Sequence, residues 1–297
     1  MSITELYSAY NIQFMTEGHS HCRPGWVNIP CPFCSGNQGY HLGFNIEKNF
    51  YTCYRCGYHT IYDVMEQILH TRNIRPILKQ YDIFHDKSVV RVEPKIVIRM
   101  NKLKVPYGIV PMQRRHISYL QQRGFLATQI EDDWNVQGTN HLSKYKGRLF
   151  IPIHYKGEMV SFTTRDITGK AEARYISCAS EQEVVPHKSI LYGIDHAPGT
   201  SCIVVEGVTG VWRIGFGTVA TFGVKYTTDQ VNLLAKFKKV TVIFDPDEAG
   251  KLQGRKLISD LRFRGVSCSQ YELKNGDPGE LSYAEVEKIR ELSLKKT

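Results

Sequence analysis

The chain has 297 residues, 42% of them apolar and 23% charged, with a formal net charge of +9. That is enough for one or two compact cores and too ordinary for a disordered or fibrous protein. No apolar run approaches the ~18 residues of a membrane helix, and Met1-Ser2-Ile3-Thr4-Glu5 lacks the order of a secretory signal, so membrane spanning and secretion are set aside and a reducing, cytoplasmic setting is expected.

The first region, to about residue 75, is rich in Cys, Gly, His and aromatic residues. Cys31-Pro32-Phe33-Cys34 and Cys53-Tyr54-Arg55-Cys56 make two C-x2-C knuckles separated by eighteen residues. A two-residue gap lets both sulfurs of a knuckle face one ion. Strands at Gly39–Ile46 and Phe50–Thr52 would bring the knuckles together. Four thiolates then give a closed, structural zinc site, with His41 and His59 as nearby substitute ligands. Tyr40, His41, Phe44, Phe50, Tyr51, Tyr54, Arg55, Tyr58 and His59 are divided between a small core and a surface for stacking on single-strand bases. Cys22, Cys178, Cys202 and Cys268 read as core or surface residues. Apolar positions 61, 64, 65, 68 and 69 recur at helical spacing over Ile61–Leu69.

Residues 76–104 read as a basic tether punctuated by Pro76, Pro94 and Pro106, with short strands at Val89-Val90 and Ile96–Ile98. Residues 72–175 hold 19 Lys and Arg against nine Asp and Glu, which is essentially the whole positive excess. Such a segment fits a polyanion-binding surface, the alternative being a solvated face kept positive for solubility.

From Val105 the chain reads as one larger body whose last third alternates strand and helix. Strands fall at Cys202–Val205, Thr218–Thr221, Val240–Phe244 and Val266–Leu273, with helices at Thr227–Phe237 and Glu248–Arg264. This alternation argues for a mostly parallel sheet with helices on both faces and chemistry beyond the carboxyl ends of the strands. Glu206 follows the first of these strands, Asp245 and Asp247 the third, and Asp277 the last. Carboxylates gathered there repel unless a cation such as Mg²⁺ sits among them; the alternative is that they are helix caps and turn residues. Asp245 and Asp247, one residue apart, would point the same way in extended backbone. Gly215-Phe216-Gly217-Thr218-Val219-Ala220 matches a loose dinucleotide pattern, but a strand is expected where that pattern needs a helix.

The Glu206-Gly207 strand end and the Asp245-Pro246-Asp247-Glu248-Ala249-Gly250 turn resemble the two signature motifs of the TOPRIM fold. Gly147–Ile153, Ser161–Asp166, Arg174–Ser177 and His187–Gly193 resemble, in order and spacing, the basic lobe of DnaG-type primases. Ile29–Gly57 is similar to the four-cysteine zinc domain of phage primases. The resemblance implies an α/β multidomain chain: a zinc-ribbon template-binding domain over 1–75, a basic linker over 76–104, a basic α+β lobe over 105–198, a Rossmann-like TOPRIM domain over 199–280 and a helical tail over 281–297. It further implies primer synthesis from ribonucleoside triphosphates on single-stranded DNA. Cys31, Cys34, Cys53 and Cys56 would hold Zn²⁺, while Glu206, Asp245, Asp247 and Asp277 would hold Mg²⁺ or Mn²⁺. Glu206 is alternatively the base for the attacking hydroxyl, and Arg148, Arg165, Arg174 and Lys188 would face template or triphosphate. Two positions depart from the family pattern, Gly210 and Gly279 standing where acids are usual. No P-loop occurs, so an unwinding helicase is expected as a separate partner. The rival readings are a non-catalytic RecR-like mediator and a TOPRIM nuclease.

Overall fold

The computed structural model describes residues 2–18, 22–34, 39–47, 49–71, 73–83, 94, 96–100, 102–273 and 276–294. The chain divides into two compact units, residues 1–91 with 255–266, and residues 92–254 with 267–297.

In the first unit, α1 (Ile3–Ala9) begins with a capping box, Ser2 Oγ accepting from the Glu5 N–H and the Glu5 carboxylate accepting from the Ser2 N–H. Strands β1 (Trp26–Ile29), β2 (Leu42–Asn45), β3 (Phe50–Cys53) and β4 (Gly57–His59) follow as an antiparallel sheet in that order. The expected strands correspond to β2 and β3. Helix α2 (Ile61–Leu69) has the expected extent because Thr60 Oγ1 accepts from the Asp63 N–H and Ile61, Val64 and Met65 bury one face. Helix α1 closes the other end of the same core: Leu6 and Tyr7 are buried with Ile29, Leu42, Phe44 and Tyr51, and the Tyr7 and Tyr51 hydroxyls meet at 2.5 Å.

The stretch read as a tether from residue 76 starts instead with α3 (Ile74–Gln80). Its Ile74 and Leu78, with Tyr81 and Ile83 beyond, join the core of this unit, and Pro76 is tolerated because it lies in the first turn. The expected strand at Val89-Val90 lies outside the described residues. Ile96–Ile98 forms no strand; Val97 and Ile98 are exposed there.

The second unit holds two sheets. Strand β5 (Ile109–Val110), helices α4 (Arg114–Gln122) and α5 (Ala127–Trp134), and strands β6 (Gln137–Thr139), β7 (Arg148–Tyr155), β8 (Glu158–Asp166) and β9 (Tyr175–Ser177) come first. The five strands pair antiparallel in chain order. The long β7–β8 hairpin turns through Lys156 and Gly157 at φ of 57° and 81°, the hand that matches strand twist. The Asp195 carboxylate holds that turn by accepting both of its N–H groups at 2.9 and 2.8 Å.

Strand β10 (Ser201–Val205), helix α6 (Val208–Ile214), strand β11 (Thr218–Ala220), helix α7 (Thr228–Leu234), strand β12 (Lys239–Val242), helix α8 (Glu248–Phe263), strand β13 (Ser267–Gln270) and helix α9 (Tyr283–Leu294) complete the order. The four strands form a wholly parallel sheet, β11-β10-β12-β13, so the fold is the expected mixed α/β architecture with a small cysteine-bearing β unit. Gly215 ends α6 and is followed by strand, which removes the helix a dinucleotide fingerprint requires. Helix α9 packs on β10 and β12 with Val286 and Ile289 buried. No helix among the described residues is long and apolar enough to cross a membrane.

Candidate functional site

Two constellations carry chemistry, one in each unit. In the first, β2 sits between β1 and β3, with Leu42 opposite both Ile29 and Cys53, and so brings the knuckle after β1 to the one at the end of β3. The ligand atoms of Cys31, Cys34, Cys53 and Cys56 all lie within 4.8 Å of one another, the one such group of three or more among the described residues. The donor set is four soft thiols, which suits a tetrahedral, closed metal centre. Cys53 is held well below the usual thiol range, first by the Cys31 and Cys56 thiols and then by the Arg55 and Cys56 N–H groups that donate to its sulfur at 3.3 and 3.5 Å. His41 Nδ1 lies 3.4 Å from the Cys53 sulfur and His59 Nε2 lies 2.9 Å from the Cys56 sulfur. Both rings thus approach sulfurs of a quartet already complete in cysteine. Of the ribbon aromatics, His41, Phe44 and Tyr51 are buried, whereas Tyr54 and Arg55 face solvent.

In the second unit, β10 and β12 are neighbours in parallel register, Val204 opposite Val242, so their carboxyl ends emerge side by side. Glu206 and Asp245 leave those ends together, and the Asp245 N–H donates to Glu206 Oε1 at 3.0 Å. A cavity of about 270 Å³ opens there, lined by Glu206, Asp245 and Asp277 together with Arg165, Arg174 and His187. Burial pushes the Glu206 carboxyl up to about 7, the Asp245 and Asp247 charges adding to the rise and the hydrogen bond from Asp245 opposing it. Burial pushes Asp245 up to about 6, helped by the charges of Asp277, Asp247 and Glu280. Gly250 is what lets α8 start against these acids. A Cβ there would stand 2.2 Å from the Asp245 carbonyl oxygen and 2.9 Å from Glu206 Oε1.

Asp277 and Asp247 also have local tasks. Asp277 Oδ1 accepts from the Gly279 N–H at 2.7 Å and caps the short 3₁₀ turn Pro278–Glu280. Asp247 Oδ1 accepts from the Gly250 N–H at 2.7 Å, is exposed, and is not among the lining residues. The backbone bends at Pro246-Asp247 to enter α8, so the extended run that would point Asp245 and Asp247 the same way is not present, and only Asp245 lines the cavity.

The four basic residues separate into two pairs. Arg165, on β8, is buried in the cavity wall; its Nε donates to the Tyr119 hydroxyl at 2.7 Å and its Nη1 to the Tyr175 hydroxyl. Arg174, just before β9, is exposed at the cavity edge. Arg148 is buried and turned away, donating to the Ala173 and Arg174 carbonyls at 2.7 and 3.2 Å. Lys188 likewise donates to the carbonyls of Thr221, Phe222 and Lys225 at 3.2, 2.7 and 3.3 Å. That ties down a loop in which Phe222 has a φ of 59°. His187, beside Lys188, is a lining residue not singled out in the sequence, as are Thr163, Tyr175, Ser177 and Phe222, although all but Phe222 lie in the segments that resemble the primase lobe.

Residues 203–282 match the Toprim-like family model. The fold and acids at β10 and β12 therefore belong to a Toprim-like domain. Among characterised proteins the chain is related to DNA primases. It is 28% identical over 209 residues to DNA primase of Aquifex aeolicus (strain VF5), covering 64% of this chain and 40% of that protein. It is 26% identical over 172 residues to DNA primase of Geobacillus stearothermophilus, covering 54% of this chain and 28% of that one. The matches thus span less than half the length of these relatives. Similar solved structures are the zinc-binding and RNA polymerase domains of the Aquifex aeolicus primase (20% identity, TM-score 0.44, covering 99% of this chain and 83% of that one) and a DnaG catalytic core (22%, TM-score 0.49, covering 61% and 74%).

Proposed function

We propose that the chain is a DNA primase that joins ribonucleotides on a single-stranded DNA template. The observation that carries this reading is the cavity whose lining Glu206, Asp245 and Asp277 share with Arg165 and Arg174. Hard carboxylate oxygens at adjacent strand ends suit Mg²⁺ or Mn²⁺, and Glu206, Asp245 and Asp277 would hold it, with Asp247 completing the set from the next turn. A cation there supplies charge neutralisation and alignment of phosphate oxygens. Arg165 gives a guanidinium preset by Tyr119 and Tyr175, and Arg174 a second, so the triphosphate meets positive charge opposite the acids. Arg148 and Lys188 serve the same site by fixing the loops that carry Arg174 and Phe222. Attack of a 3′-hydroxyl on the α-phosphate would form the new P–O bond and release pyrophosphate, with Glu206, as the alternative to holding the cation, taking the hydroxyl proton.

In the other unit, Cys31, Cys34, Cys53 and Cys56 would hold one structural Zn²⁺, the ion that four thiolates at this spacing favour. Tyr54 and Arg55, exposed beside the second knuckle, offer a stacking and phosphate contact to template. Template unwinding would fall to a separate helicase.

The test is incubation with single-stranded DNA, four ribonucleotides and Mg²⁺, with Asp245→Ala alongside. Short, template-dependent RNA should form and be lost by at least 100-fold in the variant, the scale on which removing a group that stabilises developing charge slows a reaction. Shortened DNA without ribonucleotides would establish a nuclease instead, and single-strand binding without synthesis a mediator.

A further inference from the structure

One lining residue of the cavity, His187, is left without a task by the reading above, and so is the buried carboxylate bonded to it. Glu183 is buried at 3% exposure, and its Oε1 accepts from Ser161 Oγ at 2.7 Å, from the His187 N–H at 3.2 Å and from His187 Nδ1 at 2.6 Å. Burial raises the Glu183 carboxyl, but the hydrogen bonds from His187 and Ser161 outweigh it and hold the group below its ordinary range. A carboxylate in that position keeps a proton on Nδ1 and fixes the ring's orientation. Among the described residues, none is hydrogen-bonded to the remaining nitrogen, Nε2.

His187 opens the short 3₁₀ turn His187–Ser189 and its side chain is 19% exposed. The ring lines the cavity and stands edge-on to Phe222, with centroids 5.2 Å apart. The neighbouring Lys188 pins the Phe222 loop, so one turn fixes both the ring and the surface it packs on. A purely structural tie would need only the Nδ1 contact and no place on the cavity wall. We propose that His187, oriented by Glu183, is a further anion-contacting residue of this cavity, its Nε2 donating to a phosphate oxygen of the bound nucleoside triphosphate. This rests on the nucleotide reading of the site.

The charged and titratable groups around the ring are Glu183 from its own segment, Arg165 and Arg174 from β8 and the approach to β9, and Glu206, Asp245 and Asp277 from the strand ends; Lys188 is turned to its carbonyls. Because Glu206 and Asp245 change charge at about 7 and about 6, a pH profile of the native chain alone would mix several groups. The deciding quantity is the ratio between variant and native chain at each pH.

The dissociation constants of inorganic triphosphate and of ATP are measured by calorimetry on the full chain at pH 6 and pH 8, at constant Mg²⁺, for the native protein, His187→Gln and Glu183→Gln. Ionisation of the ligand itself is common to all three and cancels. His187→Gln should bind about tenfold more weakly at pH 6 and within about twofold at pH 8, because a ring whose Nδ1 proton is held by Glu183 donates from Nε2 only when it carries a second proton. Glu183→Gln keeps the ring and should confine its loss to the lower pH. Should that buried change unfold the chain, the partly exposed His187→Gln decides alone. An equal ratio at both pH values, or no triphosphate binding by the native chain, overturns the assignment. RNA synthesis with an unchanged His187→Gln profile removes only the role of His187. The expected binding profile in a chain that makes no RNA removes only the primase reading.

Discussion

Glu206 and Asp245 sit in the cavity with carboxyls that ionise only at about 7 and about 6, burial being the larger cause and neighbouring acids the next. Ordinary carboxyls lose their protons near pH 4, so between there and neutrality the folded chain holds protons that the unfolded chain has shed. The sign follows: this contribution to stability is fully present below the unfolded value and is lost as pH rises through about 6 to 7. Without divalent cations the melting temperature should therefore fall between pH 5 and pH 8. Glu206→Gln should flatten part of that fall, and Mg²⁺ should raise the native midpoint at pH 8 more than at pH 5. Thermal unfolding at the two pH values checks this, and equal Mg²⁺ stabilisation at both would dissociate the acids from metal binding. At this scale the carboxylates were legible because they end apolar strand runs. Glu183 and His187 were not: they bond directly across four residues of irregular chain that no periodic pattern marks, and Ser161 of β8 joins them only in the fold.

One contact between elements accounts for both departures from the primase pattern. Helix α6 meets the 3₁₀ turn Pro278–Glu280 so closely that a Cβ on Gly210 would stand 2.9 Å from Pro278 Cβ and 3.1 Å from Val205 Cγ2. From the other side, a Cβ on Gly279 would stand 2.8 Å from Asp277 Oδ1 and 3.0 Å from Thr209 Cβ. The two glycines are thus halves of a single tight packing, which carries Asp277 to the cavity. Arg213, near the end of α6, reinforces it by donating to the Gly279 carbonyl at 3.0 Å. Gly210→Asp should cost about 1–3 kcal/mol from overpacking, with more for the buried charge. Chemical denaturation would show it as a lower midpoint, and an unchanged midpoint would mean that the helix and turn separate easily. Sequence patterning located α2, α8 and the parallel strands, whose apolar periods are regular. It missed α3, where Pro76 and the surrounding basic residues read as a tether although Ile74 and Leu78 lie one turn apart on the buried side.

At the scale of the whole molecule, the positive excess lies in residues 72–175, and the described part of that segment builds much of the five-stranded sheet and its two helices. A single strand held by four phosphate contacts should lose about 50-fold in affinity between 50 and 200 mM salt, following the counterion-release slope for single strands. Fluorescence anisotropy with labelled oligonucleotide at graded salt measures it; a flat response would place any single-strand binding on stacking rather than charge. The sequence by itself determined the cysteine quartet, the parallel sheet and the acids at its strand ends, because ligand spacing and apolar period are local properties of the chain. Only the tertiary structure decided which basic side chains come to the cavity. Arg165 and Arg174 reach the cavity, whereas Arg148 and Lys188 are turned to backbone carbonyls. In sequence the four are equivalent charges. A buried guanidinium or ammonium takes whatever acceptors surround it, and those carbonyls come from loops 25 to 37 residues away that only folding brings within reach.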